Sequence, residues 1–352
     1  MRILILTNQL LTTCGVSKHL LYFLKEAKKN PDFEFTLICG GGDAINDYRN
    51  LVKEIFVWPW ILHNNRSFRC FSKSFYKLLA LQKKEKFDIF HSHNHYAANI
   101  AKIVSVISKI KTVQTVHGLI EPIGRLNHYP SDYFITVNEQ VYDYLIKQRR
   151  KSIEKIRLIR SGVPIQALTT KGTNKKLKII SAGRLIPEKG FDVFIKAIRK
   201  LKVSDLERAE FLIAGCGEYE MELKKLSNEL NVQINFIGEV KDFNACLSST
   251  DIFVLASQSE GFPLTIIEAA LNKNLIISSN FLGYDSILQN NINCLIFNID
   301  DAQELAEKIS YAIQNFKDLH SMINKMYELA VKEFDLNKMV DKTLNFYSEI
   351  LN

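Results

Sequence analysis

The chain has 352 residues, of which 47% are hydrophobic and 24% charged, with a formal net charge of +8; this suits two folded domains that each bury a core and excludes a disordered chain. No apolar run approaches the ~20 residues of a membrane span, and the apolar stretch of "MRILILT" is too short for a signal-peptide core, so the expectation is a cytoplasmic protein. Cys14, Cys39, Cys70, Cys216, Cys246 and Cys294 form no C-x-x-C pair, which argues against a disulfide framework or a zinc knuckle and for reduced thiols.

In chain order, the strand candidates of the first half are "RILILT", "EFTLIC", "FDIF", "KTVQTV", "DYFITV" and "IRLI". Those of the second half are "LKIISA", "EFLIA", "INFIG", "DIFVLA" and "LIISS". Helical periodicity falls between them over 16–29, 67–85, 190–202, 218–230 and 301–316. Uniformly apolar strands separated by helices predict parallel sheets covered on both faces, so the fold class is α/β with two doubly wound, Rossmann-like domains in series. The polar stretch "IQALTTKGTNKK" has neither period and marks a linker near 163–176. The expected domains are therefore 1–165 and 166–334. The final helix, 335–352, has no new strand to cover and is a candidate to pack back on the first domain.

Charge is unevenly placed. Residues 1–165 hold 25 Lys and Arg against 13 Asp and Glu, or +12, which leaves 21 against 25, or −4, for the rest. The basic half points to an anionic surface or ligand, with plain solubility as the blander explanation. Residues 56–81, "FVWPWILHNNRSFRCFSKSFYKLLAL", place Phe68, Phe71, Phe75, Leu78 and Leu79 on one helical face flanked by Arg66, Arg69, Lys73 and Lys77. Such a helix fits an anionic membrane surface, and it equally fits a cover for the sheet with solvated lysines.

In doubly wound sheets ligands lie at the carboxyl ends of the strands, so the residues after each strand carry the chemistry. After "LKIISA" comes "GRLIPEKG", in which Arg184 and Lys189 stand beside a helix start and could grip a diphosphate. Alone, the two could be surface cations at a turn. After "DIFVLA" comes "SQSEGFPLTIIEAA". Gly261 and Pro263 make a turn there, and the amides near Phe262 and Leu264 would point at an anion. Glu260 and Glu268 could serve different ends of one ligand, one of them clamping two ribose hydroxyls. An acidic helix start favoured by the macrodipole explains Glu260 but not Glu268, deep in an apolar run.

"SEGFPLTIIEA" resembles the glutamate, seven residues, glutamate motif of retaining GT-B glycosyltransferases, especially glycosyltransferase family 4. "SAGRLIPEKGFDVFIKA" is similar to that family's diphosphate-binding segment and "IRLIRSGVP" to its interdomain segment. With "TVHG", "TVNEQV" and "CGVSKHLLYFL", the likeness runs in order over about residues 1–290. The resemblance implies a GT-B fold and a nucleotide-diphosphate sugar as donor, UDP first and GDP second. Arg184 and Lys189 would neutralise the diphosphate, Glu268 would bind the ribose, and Glu260 with the amides of Gly261, Phe262 and Leu264 would hold the sugar and its phosphate. Glu239 and Val240 would pass the base, Gly15 would let the first loop approach the phosphate, and His117 would contact the sugar near the reacting carbon. It also implies transfer with retention and no cofactor or metal. Four positions depart from the family's habit: Cys14, Asn138, Pro164 and Cys216.

The acceptor expected on the basic half is a saccharide or a lipid-linked saccharide, in cell-envelope polysaccharide, lipopolysaccharide or glycolipid synthesis, with peripheral contact to the inner membrane face. No nucleic acid is expected, because no recognition helix or aromatic-studded sheet motif is evident. A sugar-nucleotide epimerase of the same fold, and a basic nucleic-acid-binding protein, are the rival readings. A dinucleotide oxidoreductase would need G-x-G-x-x-G in the first turn, and "NQLLTTCGVSKH" lacks it. The histidines of "HSHNH", His91, His93 and His95, alternate as ligands on one strand face would. A helix opening near Tyr96 breaks that period, and the resemblance assigns the segment no metal. His93 is then expected to line the cleft or brace the loop of His117, His91 to pack in the sheet, and His95 to cap a helix or sit at the rim.

Overall fold

The computed structural model describes residues 1–65, 67–119, 128–165, 176–261, 263–281 and 283–352, the side chains of His63 and Tyr284 excepted. Arg66, Phe262 and most of the expected linker, 166–175, lie outside the described residues. The chain divides into two compact units, Met1–Gly162 with Leu336–Asn352, and Val163–Asp335.

The strands of the first unit are β1 (Arg2–Leu6), β2 (Glu34–Cys39), β3 (Glu54–Val57), β4 (Ile89–Ser92), β5 (Lys111–Val116), β6 (Tyr133–Thr136) and β7 (Ile156–Leu158). They form one sheet in the order β3-β2-β1-β4-β5-β6-β7 with parallel pairings throughout. The second unit holds β8 (Leu177–Ala182), β9 (Ala209–Ala214), β10 (Asn235–Gly238), β11 (Ile252–Leu255), β12 (Leu275–Ser279) and β13 (Leu295–Phe297). Their order is β10-β9-β8-β11-β12-β13, again parallel. Strands buried on both faces need apolar side chains at every position, which is what "LIL" in β1 and "IFVL" in β11 supply. Two strands, β3 and β13, go beyond the sequence expectation. Each is short, β3 is the sheet's edge and only half-buried, and neither shows the full apolar run of a central strand.

The helix Phe68–Glu85 turns the apolar face of residues 56–81 to the sheet. Leu78 is fully buried, and Phe71, Phe75 and Leu79 pack on a cluster containing Trp58, Ile61, Phe90 and Tyr96. This face covers the sheet. Phe68, expected on the same face, is 86% exposed instead. Lys73 sits 3.7 Å and Lys77 4.8 Å from the centre of the Trp60 ring, so these cations cover an indole. Among the described residues no helix is long and apolar enough to cross a membrane.

Residues 301–351 are helical in three pieces, Ala302–Asn315, His320–Glu333 and Leu336–Leu351, with a 3-10 turn at Phe316–Leu319. The last helix belongs to the first unit, where Met339, Val340, Leu344, Phe346 and Tyr347 join the core of β1, β2 and the helix Gly15–Ala27.

Candidate active site

Strand order reverses between β8 and β11 in the second unit, and loops that leave two such strands diverge to opposite faces and open a crevice at their carboxyl ends. Arg184 and Lys189 follow β8; Glu260, Gly261 and Pro263 follow β11. Backbone hydrogen bonds lace these loops together. The Gln258 amide donates to the Glu188 carbonyl at 2.9 Å, and the Leu185 amide to the Cys216 carbonyl at 2.9 Å. Gly190 is left-handed at φ +66°, and a Cβ there would lie 2.1 Å from the carbonyl oxygen of Ala256. Glycine is thus required at the point where the β8 loop presses on the β11 loop.

Within this frame Lys189 Nζ donates to Glu260 Oε1 at 2.5 Å. Their side chains are 24% and 10% exposed, so the pair is half-desolvated. The two residues read from the sequence as separate ligand contacts are therefore partners of each other in this state. Arg184 is exposed, and among the described residues no carboxylate pairs with it. The helix Leu264–Leu271 starts from Pro263 with no side-chain cap and no acid in its first turn, so its first amides keep their donors. Pro263 is the cap residue itself, one position before the expected first turn. Glu268 lies one turn further on and is buried, 7% exposed. Glu239 is exposed and Val240 half-buried after β10. Their loop is tied in by Gly238, whose carbonyl accepts from the Gly215 amide at 2.7 Å.

The first unit repeats the topology, with its reversal between β1 and β4. Gly15 opens the helix Gly15–Ala27 behind Cys14, which is extended at φ −98° and makes no side-chain cap. A Cβ on Gly15 would meet nothing within 4 Å, so packing within the described chain does not demand glycine there. Asn138, another departure, caps the helix Glu139–Lys147 by accepting from the Val141 amide at 2.8 Å, a task serine performs equally well.

Histidines gather at this second reversal point. His93, after β4, has Nδ1 3.0 Å from Nε2 of His117, after β5. His19, on the Gly15–Ala27 helix, stands edge-on to His117 with ring centres 4.9 Å apart, and its Nδ1 is 3.0 Å from Ser161 Oγ. One ring nitrogen from each of His19, His93 and His117 lies within 4.8 Å of the other two. Burial, then repulsion from neighbouring imidazoles, holds His93 and His117 well below the ordinary histidine value, and burial pushes His19 down to about 4. The three rings are neutral at pH 7.

The alternating trio separates. β4 ends at Ser92, so the strand period stops before His93. His91 is buried between Tyr347 Oη at 2.5 Å and Thr115 Oγ1 at 2.8 Å. His95 neither caps a helix nor sits at a rim: Asn94 caps, accepting from Ala97, and the buried His95 ring packs on His128 at 4.7 Å. His93 alone joins His117, as expected, and His19 and Ser161 complete the cluster without having been singled out. The signal for His19 was available: it lies four residues into the helix that opens at Gly15, one turn below the reversal point.

Comparison with known proteins bears on both units. Residues 13–167 match the family model described as Glycosyltransferase Family 4, and residues 169–329 that of Glycosyl transferases group 1. The UDP-Gal:alpha-D-GlcNAc-diphosphoundecaprenol alpha-1,3-galactosyltransferase of Escherichia coli is 25% identical over 93% of this chain and 92% of its own. A Campylobacter jejuni transferase, GalNAc-alpha-(1->4)-GalNAc-alpha-(1->3)-diNAcBac-PP-undecaprenol alpha-1,4-N-acetyl-D-galactosaminyltransferase, is 26% identical over 51% of this chain and 50% of its own. Among solved structures, Anabaena Alr3699/HepE in complex with UDP and glucose superposes with a TM-score of 0.82 at 16% identity, covering 99% of this chain and 100% of that one, which shows the fold.

Proposed function

We propose that this chain, which belongs to the group 1 glycosyltransferases of the family 4 type and has their GT-B fold, transfers a hexose from a UDP-sugar to a hydroxyl of a saccharide carried on a lipid diphosphate, with retention and without a metal. The observation that carries the donor half is the reversal point between β8 and β11. There an exposed guanidinium and an ammonium held by one carboxylate stand on loops bonded to one another, next to an uncapped helix start whose second turn carries a buried carboxylate. Two cations and free amides match a diphosphate, and a buried carboxylate matches a pair of ribose hydroxyls. The choice of UDP is supported by the E. coli relative, whose name carries UDP-Gal, and that of a lipid-diphosphate acceptor by the E. coli and Campylobacter relatives, whose names carry a diphosphate-linked undecaprenol.

In the mechanism so proposed, Lys189 exchanges Glu260 for the diphosphate when donor arrives. Glu260 is then released to the hydroxyls of the sugar. The bond between the anomeric carbon and the phosphate oxygen breaks first, and charge builds on the departing diphosphate. Arg184, Lys189 and the amides at Leu264 stabilise that charge without reorganising, the role a metal plays elsewhere. The acceptor oxygen then bonds to the same face of the oxocarbenium-like carbon, and its proton passes to the oxygen of the leaving phosphate. His117, neutral at pH 7, offers the sugar a hydrogen bond rather than a charge. Transfer from UDP-galactose to a GlcNAc-diphosphate lipid, with the anomeric configuration read by NMR, tests the reading; an inverted product, or no product from UDP-sugars while GDP-sugars react, refutes the corresponding part.

A further inference from the structure

We propose that His19, His93 and His117 form a binding site for one divalent d-block cation of the zinc type, and that its occupancy blocks sugar transfer by taking His117. The binding half stands on the first unit alone. The blocking half rests on the donor contact given to His117 above.

Three elements of the first unit bring their side chains together. The helix Gly15–Ala27, the loop after β4 and the loop after β5 each contribute one imidazole. Their three ligand nitrogens lie within 4.8 Å of one another, the only such group of histidine, cysteine or acidic side chains among the described residues. His93 Nδ1 and His117 Nε2 are 3.0 Å apart. Two nitrogens bound to one tetrahedral zinc at about 2.05 Å sit ~3.3 Å apart, so this pair is already at ligand spacing and only His19 has to close in.

The donor set selects the ion. Three neutral nitrogens with no carboxylate suit zinc, nickel, copper or cobalt and offer little to magnesium or calcium, which want oxygen. His19 is oriented from behind as metal-binding histidines are: its Nδ1 meets the Ser161 hydroxyl, which leaves Nε2 for the ion. The second ring nitrogen of His93 is buried with no hydrogen-bond partner among the described residues, so its hydrogen is not locked from that side. His91 stays out of the set, because both its nitrogens face hydroxyls, those of Tyr347 and Thr115. His117 is the least buried of the three, which leaves the fourth position open to water, as in three-histidine zinc sites.

The test titrates the full chain, purified through chelator, with cobalt alone and no sugar nucleotide. The expected result is one cobalt per chain with the visible absorption of four-coordinate Co²⁺, displaced by zinc and untouched by magnesium. His19→Gln weakens cobalt by more than about 100-fold, since loss of a ligand exceeds the 10–100-fold cost of losing an outer partner, and Ser161→Ala weakens it by about 10–100-fold. Ser161→Ala removes one oxygen, so it keeps the comparison alive if His19→Gln fails to fold. No absorption, or equal affinity in wild type, His19→Gln and Ser161→Ala, overturns the site. Zinc is then added to the transfer assay and expected to stop it, with chelator restoring it. Saturation by cobalt together with full transfer leaves the site standing and removes His117 from the donor contacts.

Discussion

Lys189→Met separates a structural from a catalytic role for the Lys189–Glu260 ion pair. Removing the ammonium leaves Glu260, only 10% exposed, without the partner that now donates to it at 2.5 Å. A half-buried acceptor stripped of a charged donor costs about 1–3 kcal/mol of stability. Independently, the loss of one preorganised cation from the departing diphosphate costs about 3–4 kcal/mol of transition-state stabilisation, or ~10²–10³ in kcat. The two costs are distinguished by adding Glu260→Gln to Lys189→Met. The double variant no longer buries an unpaired charge, so its melting temperature recovers most of the loss. Its turnover stays low, because no cation has been restored and a sugar contact has been removed. Thermal denaturation followed by circular dichroism and initial rates of UDP release measure the two quantities on the same preparations. A double variant with turnover close to wild type would show that Lys189 serves only to hold Glu260, and the diphosphate role would fall.

Three further outcomes follow from named contacts. Gly190→Ala forces a left-handed residue with a Cβ 2.1 Å from the Ala256 carbonyl; it should destabilise by more than about 1–2 kcal/mol and weaken UDP in calorimetry, and an unchanged melting temperature would contradict the close approach. Acid should destabilise the first unit: the folded values of His19 and His91 are pushed by burial to about 4 and about 3 from 6.5, so the unfolded chain binds more protons below pH 6.5. Their contribution is present in full above that pH and is lost as pH falls towards 3, about 3 kcal/mol for His19 alone, read from urea midpoints between pH 7 and 4. Contact with anionic lipid should run through the helix His95–Ser108, where Ile103, Val106 and Ile107 are exposed beside a groove of about 340 Å³ lined by Lys102, Lys109, Lys111 and Lys155. Liposome flotation should fall in Val106→Ser/Ile107→Ser and be unaffected by Phe71→Ala, and flotation equal in both would reject that face.

The central strands and the order of the two units were legible because a parallel strand covered on both faces must be apolar at every position, and "RILIL" or "DIFVL" can be little else. β3 escaped because it is an edge strand, half-buried and three residues from polar turns, where that constraint is relaxed. Arg184 and Lys189 were visible as a local motif, with the turn and helix start in one stretch of sequence. The pairing of Lys189 with Glu260 was not, since the two residues are 71 apart in sequence, on loops that follow different strands. Residues 56–81 were ambiguous for another reason: a helix that covers a sheet and one that lies on a lipid surface need the same apolar face, and only the packing of Phe71, Phe75 and Leu78 on the core distinguishes them.

The histidines show most clearly what topology adds to spacing. Counting along the chain joins His91, His93 and His95, which share a local segment, yet each has a separate fate: a sheet core, a loop end and a helix face. The cluster that forms draws on positions 19, 93 and 117, which share only that each lies within a few residues of the carboxyl end of β1, β4 or β5, or on the helix that leaves it. Of these strands β1 and β4 flank the reversal of order in the first sheet, and β5 lies beside β4. Side chains that leave neighbouring parallel strands at their carboxyl ends must converge, whatever their separation in sequence. The same rule places Arg184, Lys189 and Glu260 after strands of the second sheet, with the opposite chemistry: an ammonium bonded to a carboxylate there, and neutral imidazoles hydrogen-bonded to each other here. The outcome of the cobalt titration depends on how far the Gly15–Ala27 helix lets His19 approach.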